Sequence, residues 1–96
     1  MLKVDDKEKT FVKYRDPDTG YVVSYIKYKA TGNEKWCVYD HDGNMVFLRS
    51  HGCISRYHYC DDIMIAENQI EDDDFVYVYV TNRFDNRPLA FYFKQH

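Results

Sequence analysis

No apolar run in this sequence approaches the ~20 residues that a helix needs to cross a membrane, and the first nine residues lack the apolar core of a secretory signal. The expected location is therefore the cytoplasm, with no membrane partner. Cysteine is scarce and odd in number: Cys37, Cys53 and Cys60 fit reduced thiols better than a disulfide framework. A glycine-rich phosphate loop and a Gly-x-Ser-x-Gly elbow are both missing, which leaves nucleotide chemistry unsupported. There is no strong charge of one sign either. Thirteen Lys and Arg against sixteen Asp and Glu give a formal charge of −3, too acidic for a protein built to grip phosphate backbones and too mild for a DNA mimic.

Aromatic residues, by contrast, make up 18% of the 96 residues and include ten tyrosines. Tyrosine fits pleated, half-buried surfaces and interfaces better than helix interiors, so the excess favours sheet and recognition. The length suits a single domain spanning 1–96 with one core. Its most informative stretch is 75–81, Phe-Val-Tyr-Val-Tyr-Val-Thr, seven consecutive β-branched or aromatic residues. Such a run predicts a central strand covered on both sides. Val76, Val78 and Val80 take one face and Phe75, Tyr77 and Tyr79 the other. The valine face suits an interior, and the tyrosine face suits either a second buried layer or an aromatic surface that meets a partner.

Along the chain, residues 1–9 read as a polar leader, frayed or forming a weak edge strand. Strands are predicted over 10–14, 21–28, 35–39, 45–49, 75–81 and 89–94, with turns at 15–20, 40–44 and 82–88 marked by Pro, Gly, Asp and Asn. Tyr59, Ile63, Ala66 and Ile70 fall at i, i+4, i+7 and i+11 with Asp61 and Asp62 near an amino-terminal end, which predicts a short helix there. The rival reading is a strand through Ile63, Met64 and Ile65. The four acids at 71–74 read as a solvated connector that guards the hydrophobic strand after them. The fold class is thus mainly β, bordering on α+β: a single antiparallel sheet or partly open barrel of about six strands with at most one short helix. Its expected core comprises Val23, Ile26, Trp36, Val38, Phe47, Ile63, Val76, Val78, Val80, Phe91 and Phe93.

Reactive side chains are densest at 50–60. His51, Cys53, His58 and Cys60 offer four donors at His-x-Cys-x4-His-x-Cys spacing, but the pairs stand i, i+2 rather than in the Cys-x2-Cys spacing of zinc knuckles. The plainer expectation is cysteines as small core hydrophobes and histidines as loop residues, with no metal and no cofactor. Ser50-His51-Gly52-Cys53-Ile54 resembles the nucleophile motif of L,D-transpeptidases, although here Ser55 precedes Arg56. That resemblance implies cell-wall cross-linking with Cys53 as the attacking thiolate and His51 beside it. The Asp-rich segments at 16–20 and 40–44 lack the alternating ligands and distal Glu of a calcium loop and suit hairpin turns.

The function expected from these features is that of a small non-enzymatic module that binds another protein, of the inhibitor kind that mobile elements encode against host defence complexes. Tyr77, Tyr79, Tyr21, Tyr25, Tyr57 and Tyr59 are its candidate contacts, because tyrosine is favoured at interface hot spots. No catalytic residue is assigned. A single-stranded nucleic-acid platform, made by the tyrosines with Lys27, Lys29, Lys35, Arg49, Arg56, Arg83 and Arg87, ranks below it because acids are interspersed throughout. The Cys53 enzyme is the third alternative.

Overall fold

A computed structural model describes residues 1–95, and every regular element among them is a strand. The strands are β1 (Leu2–Asp5), β2 (Lys9–Arg15), β3 (Val22–Tyr28), β4 (Glu34–Tyr39), β5 (Met45–Ser50), β6 (Cys53–Cys60), β7 (Ile63–Ile70), β8 (Phe75–Asn82) and β9 (Pro88–Gln95). Contacts cluster into two compact units, 1–51 and 52–96. Each unit is an antiparallel meander whose last strand does not return to its first among the described residues. The mainly β, antiparallel expectation holds. Nine strands replace the six expected, and the additions are β1, β6 and β7.

In the first unit the turns are set by short polar side chains. Asp16 Oδ1 accepts the Asp18 N–H, and Asp40 Oδ1 accepts those of Asp42 and Asn44, at 2.8–2.9 Å. Gly20, at φ +74°, lets the chain enter β3, and a Cβ there would lie 2.8 Å from the His41 ring. Both Asp-rich segments are thus hairpin turns, between β2 and β3 and between β4 and β5. The leader forms β1, pinned by Asp5 to Lys29 at 2.6 Å and by Asp6 Oδ1, which accepts the Glu8 and Lys9 N–H groups. The register places Val23 on one face with Tyr25, Trp36, Val38 and Phe47, and Cys37 on the other with Ile26 and Leu48. Val23 and Cys37 are buried, whereas Ile26, Trp36, Val38 and Phe47 are half-buried.

In the second unit β8 lies between β7 and β9. Residues directly opposite in an antiparallel pair share a face. Val78 therefore stands level with Glu67 on β7 and Tyr92 on β9, and Val76 with Gln69 and Lys94. The Glu67–Lys94 ion pair, 2.7 Å, joins the two flanking strands and so crosses β8 over the valine stripe. The stems of these two long side chains lie along apolar surface while their charged ends stay wet. Beneath them Val78 is fully buried, at 0% exposure, and Val76 is buried too. The hydrogen bond from Lys94, with the Lys94, His58 and Arg56 charges behind it, holds the Glu67 carboxyl below its usual range. A depressed carboxylate stabilises the fold above its unfolded pKa, and that contribution is lost as pH falls through the lowered folded value.

Three expectations fail here. The helix is replaced by the β6–β7 hairpin, in which Asp61 adopts φ 51° in the two-residue turn rather than leading a helix. The helical spacing was coincidental, because both faces of β7 mix apolar and polar residues and so hide the strand alternation. Ile63, Phe91 and Phe93 are not core: they are 40%, 49% and 59% exposed. Every residue of β9 is exposed, since among the described residues it pairs only with β8. Finally, β8 is covered on its valine side alone, because Phe75 and Tyr79 on the other side are 48% and 42% exposed.

Two substitutions probe this arrangement. Val78→Ala removes fully buried methyl groups and should cost roughly 1–3 kcal/mol of unfolding free energy in denaturant titration. Thr81→Val should instead stabilise by about 1 kcal/mol, because the Thr81 hydroxyl is buried without a hydrogen-bond partner and the replacement keeps the β-branched shape.

Candidate binding surface

The face of the second unit opposite the valine stripe is built by register. Tyr57 and Tyr59 on β6 lie level with Ala66 and Met64 on β7, and those lie level with Tyr79 and Thr81 on β8. Tyr77 and Tyr79 face Phe93 and Phe91 on β9. Buried Ala66 leaves a shallow floor, and buried Ser55 donates to Asn68 Oδ1 at 2.6 Å on the same face. The rings then form a connected array at the β8–β9 end. Tyr77 meets Phe93 edge to face at 5.2 Å and 79°, Tyr79 meets Phe91 at 4.7 Å, and Phe91 meets Phe93 at 5.0 Å and 82°. Such pairs fix ring positions beyond what area burial alone would do.

At one end of the array Phe75, Tyr77 and Phe93 line a groove of about 390 Å³. Asp73 is bonded to two of these residues: Oδ1 accepts the Phe75 N–H at 2.9 Å and Oδ2 accepts the Tyr77 hydroxyl at 2.7 Å. The Tyr77 hydrogen bond, followed by those of the backbone, lowers the Asp73 pKa, and the same bond raises that of Tyr77. At the other end Arg83 lies over the Tyr59 ring, 4.8 Å from its centroid.

Of the six candidate tyrosines, Tyr57, Tyr59, Tyr77 and Tyr79 thus come together on one face. Tyr25 and Tyr21 belong to the first unit. Tyr25 stacks on Trp36 at 4.3 Å, and burial raises its phenol pKa, with the Glu34 charge adding to it. Tyr21 precedes β3 and sets its ring edge-on to His41. The sequence reading missed Phe91 and Phe93 as members of the surface. Their i, i+2 spacing matched to Tyr77 and Tyr79 across the 82–88 turn was the available signal, and the bulge after Val80 obscured the register.

The segment at 50–60 runs from the end of β5 through β6. His51 and Gly52, at φ 51° and 76°, are the two residues between β5 and β6, and both take the left-handed backbone region. Cys53 and Cys60 are exposed strand residues rather than core hydrophobes, His58 is likewise on a strand, and only Cys37 is buried. Cys53 stands on the tyrosine face of β6 and His58 and Cys60 on the other, so one ion cannot take all four donors. Among the described residues no three His, Cys, Asp or Glu are placed to hold a metal. The basic residues scatter as well: Arg56 is on the face opposite Tyr57 and Tyr59, Lys27 and Lys35 are on opposite faces of the first unit, and Lys29 is paired with Asp5. No helix among the described residues is long and apolar enough to cross a membrane.

No protein-family model, no curated protein and no solved structure matches this chain.

The thiols give a direct check on the strand faces. A small alkylating reagent applied to the native protein should modify Cys53 and Cys60 and reach Cys37 only after unfolding, as read by mass spectrometry. Modification of Cys37 under native conditions would show that β4 is not packed as described.

Proposed function

We propose that the protein is a binding module that recognises another protein through the aromatic face of β8 and β9. The observation that carries this reading is the ring array itself: Tyr79, Phe91 and Phe93 are each roughly half exposed, yet Phe91 packs against both of the others. Rings of this kind lose little conformational entropy on binding and bury large areas, which is why they dominate interface hot spots. Acting as an inhibitor by covering a partner's surface, the mode expected from the sequence, needs only such a face. The nucleic-acid reading is weaker because the cations that would follow a phosphate backbone are divided between faces, while a carboxylate stands at the groove. The enzyme reading rests on Cys53 and is weaker because no general base is hydrogen-bonded to that thiol among the described residues.

Affinity capture from native cells with mass spectrometry tests the proposal when run on face variants. A partner should be recovered in stoichiometric amount with the wild-type chain and with Arg56→Ala on the valine face. Phe91→Ser or Tyr79→Ser should weaken its binding by roughly 1 kcal/mol or more while thermal melts stay close to wild type. A partner held equally by all four proteins would place the interface elsewhere.

A further inference from the structure

The aromatic face has a polarity that points to the chemistry of its partner. Its groove is walled by Tyr77 and Phe93, whose planes meet at 79°, with Phe75 as the third lining residue. The turn leading into β8 is Glu71-Asp72-Asp73-Asp74. Among the described residues no cation lies within ion-pair distance of Asp72, Asp73 or Asp74, and Asp73 is fixed at the groove by the Tyr77 hydroxyl. Lys94, the basic residue that follows Phe93, stands on the opposite face and is taken by Glu67. The aromatic end of the surface therefore carries negative charge that the chain itself does not neutralise.

Three aromatic rings beside one fixed carboxylate and two neighbouring ones favour one kind of occupant. Ring faces attract cations through their quadrupole, most strongly where water is displaced, and the adjacent carboxylates add a long-range pull. The same carboxylates repel phosphate, so a nucleic acid that would otherwise stack on the rings meets an opposing field. An uncharged apolar segment would use the rings and leave the carboxylates without a partner. Resting on the protein-binding reading of this face, we infer that the groove of Phe75, Tyr77 and Phe93 takes a lysine or arginine side chain from a basic segment of the partner, with Asp72, Asp73 and Asp74 steering that segment onto it.

The test uses the full chain and three probes: a short Gly/Ser peptide carrying several arginines, the same peptide with norleucine at those positions, and an oligothymidylate. Aromatic carbon–proton NMR spectra follow the rings at low salt. The arginine peptide should shift the Phe75, Tyr77 and Phe93 signals, and added salt should weaken it. Phe93→Ala should reduce its affinity roughly fivefold or more. Asp73→Asn, which keeps an oxygen for the Phe75 N–H while removing the charge, should do the same. Equal binding of the norleucine peptide would overturn the cation preference and leave the protein-binding reading standing. Ring shifts with the oligothymidylate but not with the arginine peptide would overturn both. No ring shift with the arginine peptide at millimolar concentration, from protein whose melt is unchanged, would also overturn the cation site, without touching the capture result for Phe91→Ser.

Discussion

The burial of Val78 is the constraint on which the second unit turns. It is a fully buried side chain on a strand flanked by β7 and β9, and its cover comes from polar residues: the stems of Glu67 and Lys94, joined across β8, and the Tyr92 ring level with it. The ion pair is half in water and adds little Coulomb energy of its own. Its value is positional, because the bridge holds two long aliphatic stems over the valine stripe. Val76 and Val78 are thereby covered with side chains that remain compatible with solvent.

Covering the valines in this way leaves the other face free for aromatic side chains. On that side Ala66 and Ser55 keep the floor low, and the rings of β8 and β9 pack against each other rather than against a second layer. Exposed rings of this size raise the risk of self-association. The acids at 71–74 then have two compatible roles. Their charge discourages indiscriminate contact between copies, and under the proposed reading it would favour a cationic partner.

The strand β8, its division into valine and tyrosine faces, and the turns at 15–20 and 40–44 were legible in the sequence because strong local signals coincide there: β-branched runs, positive-φ glycines and Asp side chains that accept backbone N–H groups. The β6–β7 hairpin was not. Its turn is Asp61-Asp62 without glycine, and β7 carries Glu67, Asn68 and Gln69 on both faces, so neither alternation nor a familiar turn marked it. Phe91 and Phe93 were misplaced for a related reason. A hydrophobic run is expected to be buried, yet a strand paired on one side exposes its rings unless a second layer covers them. Tyr57, Tyr59, Tyr77 and Tyr79 share a face because β6 and β8 alternate with period 2, a grouping the helical reading of 59–70 hid for the first pair, while Tyr21 and Tyr25 lie in the first unit.

The central claim is that β8 has one sealed face and one open face in the free protein. Solvent paramagnetic relaxation in NMR, with an inert soluble gadolinium chelate, reads this residue by residue. The account predicts strong broadening of the Phe75, Tyr79, Phe91 and Phe93 ring signals, with the Val76 and Val78 methyl signals unaffected. Rings of Phe91 and Phe93 as protected as the Val78 methyls in a monomeric sample would contradict it, because the aromatic face would then be a second core layer rather than a surface.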